Sequence, residues 1–364
     1  MKITAAVLRA ADEPYSLEDV ELADPRADEL VVRIVGAGMC HTDVLPRSPG
    51  AFCAPPIITG HEGAGIVEAV GAEVQGIAVG DHVVLSFDSC GACENCRAGQ
   101  PCHCDTGLAR NVVGRRLDGT TGVTDANGVE IASRWFAQSS FATHALATAR
   151  NAVVVDKELP LDKLGPLGCG IQTGAGTVLI ALAVKPATNV VVFGVGAVGL
   201  AAIMAAKVAD ASAIVAVDLH PHRLDLALDL GATHTLDGRS ADLPAQIHAL
   251  TLGGAHYAID TTGAPTVMSS ALASLRMGGA AAFVGIQTGD LVLDGRALGG
   301  KTAMGIIEGS ADPHTFIPRM IDLWNQGRFP FDRLIEHFPL AEINAAEQAS
   351  LTGRVVKPVL LPPT

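Results

Sequence analysis

The sequence predicts an α/β protein in which a β-rich first part precedes a doubly wound parallel sheet. The 364 residues exceed what one ordinary hydrophobic core holds, so two domains are expected. Residues 1–150 carry short apolar runs separated by Gly, Pro and acidic turns, which is typical of short strands. From about Leu161 strand and helix patterns alternate, which predicts parallel strands joined by helices. The predicted strands are 5–8, 30–35, 65–70 and 82–85, then 190–193, 213–217, 233–235, 257–261, 281–285 and 303–307.

These patterns predict three segments along the chain. Residues 1–170 are expected to form one domain, with a cysteine-rich lobe at 88–106, and residues 171–310 a nucleotide-binding domain. The tail 311–364, which contains an amphipathic helix and a strand-like end, is expected to return to the first domain.

Composition excludes several classes of protein. With 49% hydrophobic and only 17% charged residues, the chain can bury a large core and is not expected to be disordered. The net charge of −13 argues against nucleic-acid and membrane partners. The first 30 residues lack a signal-peptide pattern, and the most apolar run, 177–184, is too short to span a membrane. A cytoplasmic protein is expected, whose eight cysteines serve as metal ligands or catalytic groups.

A glycine-rich turn follows the first strand of the second part. Residues 190–193 are apolar, Gly194, Gly196 and Gly199 fit G-x-G-x-x-G, and an apolar helical run covers 200–208. The three glycines allow a tight turn, close approach of a pyrophosphate, and close packing of helix on strand. Glycine-rich turns also form for packing alone, so this motif by itself does not establish a dinucleotide site. The neighbouring residues are needed to distinguish the two possibilities.

The next strand supports a dinucleotide site. It ends at Asp218, whose carboxylate can accept hydrogen bonds from the adenosine ribose and would repel a 2′-phosphate, so the sequence predicts NAD. Alternatively, Asp218 is a solvated loop residue. Arg223 either flanks the adenosine or lies in solvent.

The cysteine-rich lobe predicts a closed structural zinc site. Four thiolates at these short spacings complete a tetrahedral shell and leave no position for substrate. Cys102 and His103 lie beside the last ligand, so the identity of the fourth ligand stays open at this stage. Balanced charges around the lobe argue against a zinc module that binds nucleic acid, and disulfides are the remaining alternative. The four predicted ligands are Cys90, Cys93, Cys96 and Cys104.

Cys40, His61 and Cys169 are candidates for a second metal site. They are far apart in sequence, so spacing alone does not show that they meet. A buried cysteine is commonly a packing residue, and a lone histidine is commonly a core or surface residue.

Over nearly its full length the chain resembles the zinc-dependent medium-chain alcohol dehydrogenases. The residues that carry this resemblance are Gly-His-Glu-Gly at 60–63, the cysteine lobe, Gly-Val-Gly-Ala-Val-Gly at 194–199, and Asp218. The stretches 40–43, 138–143 and 165–174 most resemble the aryl (benzyl) alcohol dehydrogenases. The resemblance implies a Rossmann domain plus a GroES-like β-barrel catalytic domain that carries the zinc lobe.

The resemblance also implies roles for individual residues. Cys40, His61 and Cys169 would bind a catalytic zinc, Glu62 would be a nearby or transient ligand, and Asp43 would orient His61. The alcohol proton would pass to a hydroxyl group, that of Thr42, whereas many family members carry a histidine where this chain has Leu45. Two zinc ions per chain are expected. The implied coenzyme contacts are His41 and Arg354 to the pyrophosphate, and Thr173 and Val198 to the nicotinamide.

The implied reaction is reversible hydride transfer between a primary alcohol, aryl or otherwise bulky and apolar, and NAD. Alternatives are a terpenoid, aliphatic or formaldehyde-type dehydrogenase of the same family, a zinc-free member recruited for binding, or a non-catalytic zinc-lobe protein. The residues implied near the substrate are Phe52, Ser86, Phe87, Val284 and Ile286. The last strand of the sheet, 303–307, would otherwise be an exposed edge, so a homodimer or homotetramer is expected.

Overall fold

A computed structural model describes residues 1–293 and 295–363. The chain forms two compact units. The first unit contains Met1–Cys169, Asp312–Pro318 and the chain from Asp332 onward, and the second contains Gly170–Ala311 and Arg319–Phe331. The predicted tail therefore divides between the units. Its middle part belongs to the second unit, where the guanidinium of Arg328 donates to the Val208 carbonyl (3.4 Å).

Eighteen strands lie within the described residues, and we number them in chain order. They are β1 (Lys2–Leu8), β2 (Ser16–Leu22), β3 (Glu29–Gly38), β4 (Ile57–Ile58), β5 (Glu62–Val70), β6 (His82–Leu85), β7 (Val123–Thr124), β8 (Glu130–Ile131), β9 (His144–Thr148), β10 (Ala152–Val155), β11 (Asn189–Phe193), β12 (Ala213–Asp218), β13 (His234–Asp237), β14 (Ala255–Asp260), β15 (Leu275–Phe283), β16 (Thr302–Gly305), β17 (Ile335–Pro339) and β18 (Lys357–Leu361).

Ten α-helices lie within the described residues. They are α1 (Glu94–Arg97), α2 (Gly107–Asn111), α3 (Leu161–Leu164), α4 (Gly170–Gly176), α5 (Ala197–Val208), α6 (Pro221–Leu230), α7 (Leu243–Leu250), α8 (Pro265–Ala273), α9 (Pro313–Asn325) and α10 (Ile343–Leu351). Five of them, α4 to α8, lie wholly in the second unit. A π-helical turn, Thr177–Ala181, follows α4. Short 3-10 turns include His41–Arg47, Trp135–Ala137, Gly165–Gly168 and Glu308–Ser310.

The first unit is built on two mainly antiparallel sheets. One sheet has the strand order β4-β1-β2-β7-β8, and the other has β10-β6-β5-β3-β18-β17, with β9 also paired to β3. Inward side chains of these strands, such as Leu8, Leu30, Ile58 and Leu85, are fully buried. The C-terminal strand β18 pairs with β3, so the end of the chain completes the sheet that carries β5.

The second unit contains a six-stranded sheet of order β13-β12-β11-β14-β15-β16 within the described residues, and the pairs are parallel. The order reverses next to β11, which is where doubly wound sheets bind ligands. The strand β11 is buried along Val190–Phe193, because both faces of a parallel sheet are covered by helices. The predicted doubly wound sheet is confirmed, and the predicted helix at 200–208 begins three residues earlier, at Ala197.

No single helix among the described residues is long and apolar enough to cross a membrane. One bent pair, Leu161–Gly168 with Gly170–Ala181, passes that test by combined length and composition only.

The turn between β11 and α5 is tight because its glycines leave room for backbone. Gly194 has φ +81°, a conformation that favours glycine. A Cβ at Gly199 would lie 2.0 Å from the Gly194 carbonyl oxygen, whereas a Cβ at Gly196 would meet nothing within 4 Å. Gly199 therefore allows helix and strand to pack, and Gly196 leaves open space above the turn.

We expect Gly199→Ala to lower the free energy of unfolding by about 3 kcal/mol, since the new methyl group must push against fixed backbone. Gly196→Ala is the matched control. Its extended backbone (φ −72°, ψ −165°) accepts alanine, so stability should stay within about 0.5 kcal/mol of the wild type. Urea unfolding of the three proteins measures both changes. Equal losses in the two variants would contradict this account of the turn.

Candidate active site

Two clusters of metal-binding side chains occur among the described residues. In the first, one ligand atom each from Cys40, His61, Glu62 and Cys169 lies within 4.8 Å of the others. Cys40 precedes the 3-10 turn His41–Arg47, and Cys169 follows another such turn, while His61 directly precedes β5 and Glu62 begins it. The fold thus brings together side chains that are distant in sequence, and all four lie in the first unit.

Asp43 fixes the orientation of the His61 ring. Its Oδ1 accepts hydrogen bonds from His61 Nδ1 (2.7 Å) and from the Gly60 backbone N–H (2.9 Å), and its Oδ2 accepts from the Cys40 N–H (3.1 Å). A carboxylate only accepts, so Nδ1 carries the proton and Nε2 keeps its lone pair. One buried carboxylate therefore sets both the tautomer of His61 and the position of Cys40.

The cluster has the properties of a metal site. His61 Nε2 is buried without a hydrogen-bond partner among the described residues, which is costly for a polar atom unless a metal takes its lone pair. A hydrogen bond with Cys169 holds the pKa of the Cys40 thiol well below its usual value, which favours the thiolate that metals bind. Two thiolates and an imidazole are a donor set that suits zinc.

Glu62 is paired with a buried cation. Lys357 Nζ donates to both carboxylate oxygens of Glu62 (2.9 and 2.8 Å) and to the Met39 carbonyl (3.0 Å). Burial raises the pKa of Glu62, and the charge of Lys357 opposes that rise. Lys357 is not among the residues predicted from sequence, although a lysine within the apolar run 355–361 is a recognisable signal.

The predicted acceptor of the alcohol proton, Thr42, lies beside this cluster. Thr42 is half-buried, and its Oγ1 is 3.8 Å from Cys40 Sγ. Leu45 is packed against the apolar core and has no group that transfers a proton.

The two residues predicted to contact the pyrophosphate are both exposed. His41 lies at the start of the 3-10 turn His41–Arg47. Arg354, also in the first unit, is exposed and donates to Glu336 (3.2 Å).

The cysteine lobe forms the second cluster. The Sγ atoms of Cys90 and Cys96 are 3.9 Å apart, near the ~3.8 Å edge of a tetrahedron with Zn–S bonds of about 2.3 Å. The Ala92 and Cys93 N–H groups donate to Cys90 Sγ and lower the pKa of this thiol to about 6. Cys104 is the fourth member of the cluster, which excludes Cys102 and His103. The eight cysteines are free thiols.

The glycine turn of the second unit contacts Asp218 directly. The Val195 N–H donates to Asp218 Oδ2 (2.7 Å), and the His220 N–H donates to Oδ1 (2.8 Å). Asp218 therefore shapes the turn, and each carboxylate oxygen keeps a second lone pair that can accept a further hydrogen bond. Arg223, in the first turn of α6, is half-buried, and its Nε has no hydrogen-bond partner among the described residues.

The predicted nicotinamide contacts lie on two helices that pack closely. Thr173 is on α4 and Val198 on α5, and a Cβ at Gly174 would lie 2.0 Å from the Val198 carbonyl oxygen. Glycine at 174 thus brings these helices together.

The residues expected near the substrate differ in exposure. Ser86 and Phe87 are buried in the first unit, whereas Phe52 is 70% exposed there. In the second unit Ile286 is 47% exposed and Val284 is half-buried. Sequence reasoning noted Gln138 only within a resembling stretch and missed Phe136, yet both contact His61.

Comparisons with known proteins agree with this geometry. Residues 26–157 match the family model of the alcohol dehydrogenase GroES-like domain, and residues 197–326 match that of the zinc-binding dehydrogenases. The chain is 46% identical to geraniol dehydrogenase from Castellaniella defragrans, over 98% of this chain and 97% of the relative.

Solved structures give the same result. The crystal structure of benzyl alcohol dehydrogenase from Acinetobacter calcoaceticus has a TM-score of 0.94 and 42% identity, with full coverage of both chains. An alcohol dehydrogenase zinc-binding domain protein from Burkholderia ambifaria has a TM-score of 0.97 and 46% identity, also with full coverage. These findings confirm the predicted fold class, a Rossmann-type domain with a GroES-like domain. The chain belongs to the zinc-dependent medium-chain alcohol dehydrogenase family.

Proposed function

We propose that the protein catalyses reversible, NAD-dependent oxidation of primary alcohols whose carbinol carbon is next to an aromatic ring or a double bond. The alcohol loses a hydride to NAD and a proton to the protein, which gives the aldehyde, NADH and a released proton. The main support is the buried, unpartnered Nε2 of His61 beside the thiols of Cys40 and Cys169, in a chain that also carries the glycine turn.

Cys40, His61 and Cys169 would hold the catalytic zinc, with Glu62 as a reserve ligand. Bound there, zinc supplies Lewis-acid chemistry that lowers the pKa of the alcohol. Asp43 holds His61 in the tautomer that the site requires, and Lys357 holds Glu62 in an ion pair. The second zinc would be structural and bound by Cys90, Cys93, Cys96 and Cys104.

Thr42 is the group that we assign to accept the alcohol proton, because its hydroxyl lies next to Cys40. Leu45 cannot pass that proton on, so the onward route runs through the coenzyme ribose, through water or through another base. In the first unit His41 and Arg354 are the basic residues assigned to the coenzyme pyrophosphate.

The second unit would bind NAD, which supplies the hydride acceptor. Gly194, Gly196 and Gly199 form the turn that faces the pyrophosphate, and the open space at Gly196 supports this assignment. Asp218 would accept hydrogen bonds from the adenosine ribose. Arg223 would flank the adenosine, and Thr173 and Val198 would contact the nicotinamide.

The names of two relatives support the substrate class. Geraniol is an allylic alcohol and benzyl alcohol is a benzylic one, so both are primary alcohols with an adjacent unsaturated carbon. We extend this shared chemistry to the present protein, with aryl alcohols first and terpenoid alcohols second. We also propose that the first unit with its cysteine lobe is the catalytic domain, and that the protein is a homodimer or homotetramer.

We expect the purified protein to form NADH from benzyl alcohol or geraniol, with kcat/KM at least about tenfold above that for ethanol, because the larger alcohols bury more apolar surface. The absorbance of NADH measures the rate, and cyclohexylmethanol is the saturated control that matches benzyl alcohol in size. Metal-replete protein that oxidises none of a broad panel of alcohols would refute the proposed function.

We expect about two zinc ions per chain in protein purified without a chelator, one for each cluster. Cys96→Ser should reduce this to about one zinc and lower the melting temperature, because only three thiolates then remain in the lobe. Cys40→Ser should leave the lobe loaded and remove activity. Metal analysis that finds about one zinc in the wild type would contradict the two-site assignment.

We expect Asp218→Asn to reduce the preference for NAD over NADP by about tenfold or more, because the variant removes the charge that repels a 2′-phosphate and weakens the ribose hydrogen bonds. Asp225→Asn, on the exposed face of α6, is the control for the same change in net charge. The ratio of kcat/KM for the two coenzymes measures the effect. An unchanged ratio would mean that Asp218 serves only the turn.

A further inference from the structure

The segment 135–140 runs against the strand end that carries His61, and its backbone is strained. Phe136, Ala137 and Ser139 have φ values of 49°, 56° and 53°, a region that residues other than glycine rarely adopt. All three are buried. Strain of this kind persists only where the surroundings enforce it, and it concentrates at functional sites.

The side chain of Gln138 ties this segment to the backbone that directly follows His61. Its Nε2 donates to the His61 carbonyl (3.0 Å) and to the Ser86 carbonyl (3.1 Å), and its Oε1 accepts from the Gly63 N–H (3.0 Å). The side chain is fully buried, so water cannot replace these bonds. Gln138 therefore fixes the backbone that presents the imidazole.

Phe136 holds the ring of the same histidine. Its ring stacks on the His61 ring, with centroids 4.5 Å apart and planes inclined by 30°. Asp43 holds the Nδ1 edge at 2.7 Å. The imidazole is thus fixed at one face and at one edge, and Nε2 is the part of the ring left for a ligand.

Gly63 makes room for this segment, and Gly60 makes room for Phe141, which directly follows it. A Cβ at Gly60 would lie 2.6 Å from atoms of Phe141, and a Cβ at Gly63 would lie 2.8 Å from Ser140 Cβ and 3.0 Å from Gln138 Oε1. Ser140 N–H also donates to the Gly60 carbonyl (2.8 Å). The motif Gly60–Gly63 and the stretch 138–141 are therefore two sides of one contact.

We propose that segment 135–140 is a positioning element for His61, and that Gln138 is its main positioning residue, which sets the direction of Nε2 before metal binds. The proposal rests on the proposed role of His61 as a metal ligand. It assigns a purpose to the strain: the left-handed residues place the Phe136 ring against the His61 ring and the Gln138 amide against the backbone that follows His61. Preorganisation of this kind changes metal affinity, not only fold stability.

The test compares Co²⁺-substituted wild-type and Gln138→Met proteins, because methionine keeps the length of the side chain and removes its hydrogen bonds. With Zn²⁺ kept in the cysteine lobe and Co²⁺ placed only in the first site, visible d–d absorption reports the geometry of the Cys40/His61/Cys169 site, and competition with a chelator reports its affinity. We expect Gln138→Met to weaken Co²⁺ binding at this site by about tenfold or more and to shift the absorption bands.

Asn111→Leu is the matched control. Asn111 is also a buried amide with three hydrogen bonds, two to the backbone of Asp88 and one to the Gly107 carbonyl, but it lies beside the cysteine lobe. It should lower the melting temperature and leave the bands of the first site unchanged. If Gln138→Met lowers the melting temperature by a similar amount with wild-type bands and affinity, the residue is merely structural and the proposal is wrong.

Two further variants distinguish a failure of this positioning proposal from a failure of the proposed metal role of His61. If Gln138→Met does not fold, Phe136→Leu decides, since it removes the stacked ring and should also shift the bands; wild-type bands and affinity there would overturn the proposal. His61→Ala provides the reference for the ligand itself. Unchanged Co²⁺ spectra in His61→Ala would refute the proposed metal role of His61, whatever the Gln138 variant shows.

Discussion

The hydrogen bond between Asp43 and His61 is the interaction on which the first unit's candidate centre depends. A buried carboxylate must be fully hydrogen-bonded, and Asp43 meets that need with His61 Nδ1 and with the N–H groups of Gly60 and Cys40. The same bonds fix the tautomer of His61 and place Cys40 in the cluster. Satisfying one buried charge therefore assembles two of the proposed ligands.

The remaining buried charge near this centre is balanced within the protein. Glu62 would be an uncompensated anion at the start of β5, and Lys357 on the last strand neutralises it through two hydrogen bonds. The pairing of β18 with β3 brings Lys357 to this position. A buried pair of this kind contributes little net stability but is costly to break, so the C-terminal strand is tied to the centre by electrostatics as well as by sheet pairing.

Close backbone approach is the second constraint that recurs in both units. At Gly199 in the second unit and at Gly60 and Gly63 in the first, a side chain would collide with neighbouring atoms. Each glycine motif therefore occurs where another part of the chain packs closely against it. For the nucleotide turn that part is the turn's own carbonyl, so the motif is local and readable. For residues 60–63 it is the stretch 138–141, which no local pattern identifies.

The sequence by itself determined the features whose parts lie close along the chain. The cysteine lobe, the glycine turn with Asp218, and the alternation of strands and helices were all readable, because ligand spacing and periodicity are local properties. Only resemblance joined Cys40, His61 and Cys169, and only the tertiary structure placed them within one cluster. The tertiary structure also showed the contacts of Lys357, Gln138 and Phe136. These residues contact a carboxylate, backbone groups and an imidazole, respectively, and each partner is distant in sequence. Spacing along the chain does not predict such contacts.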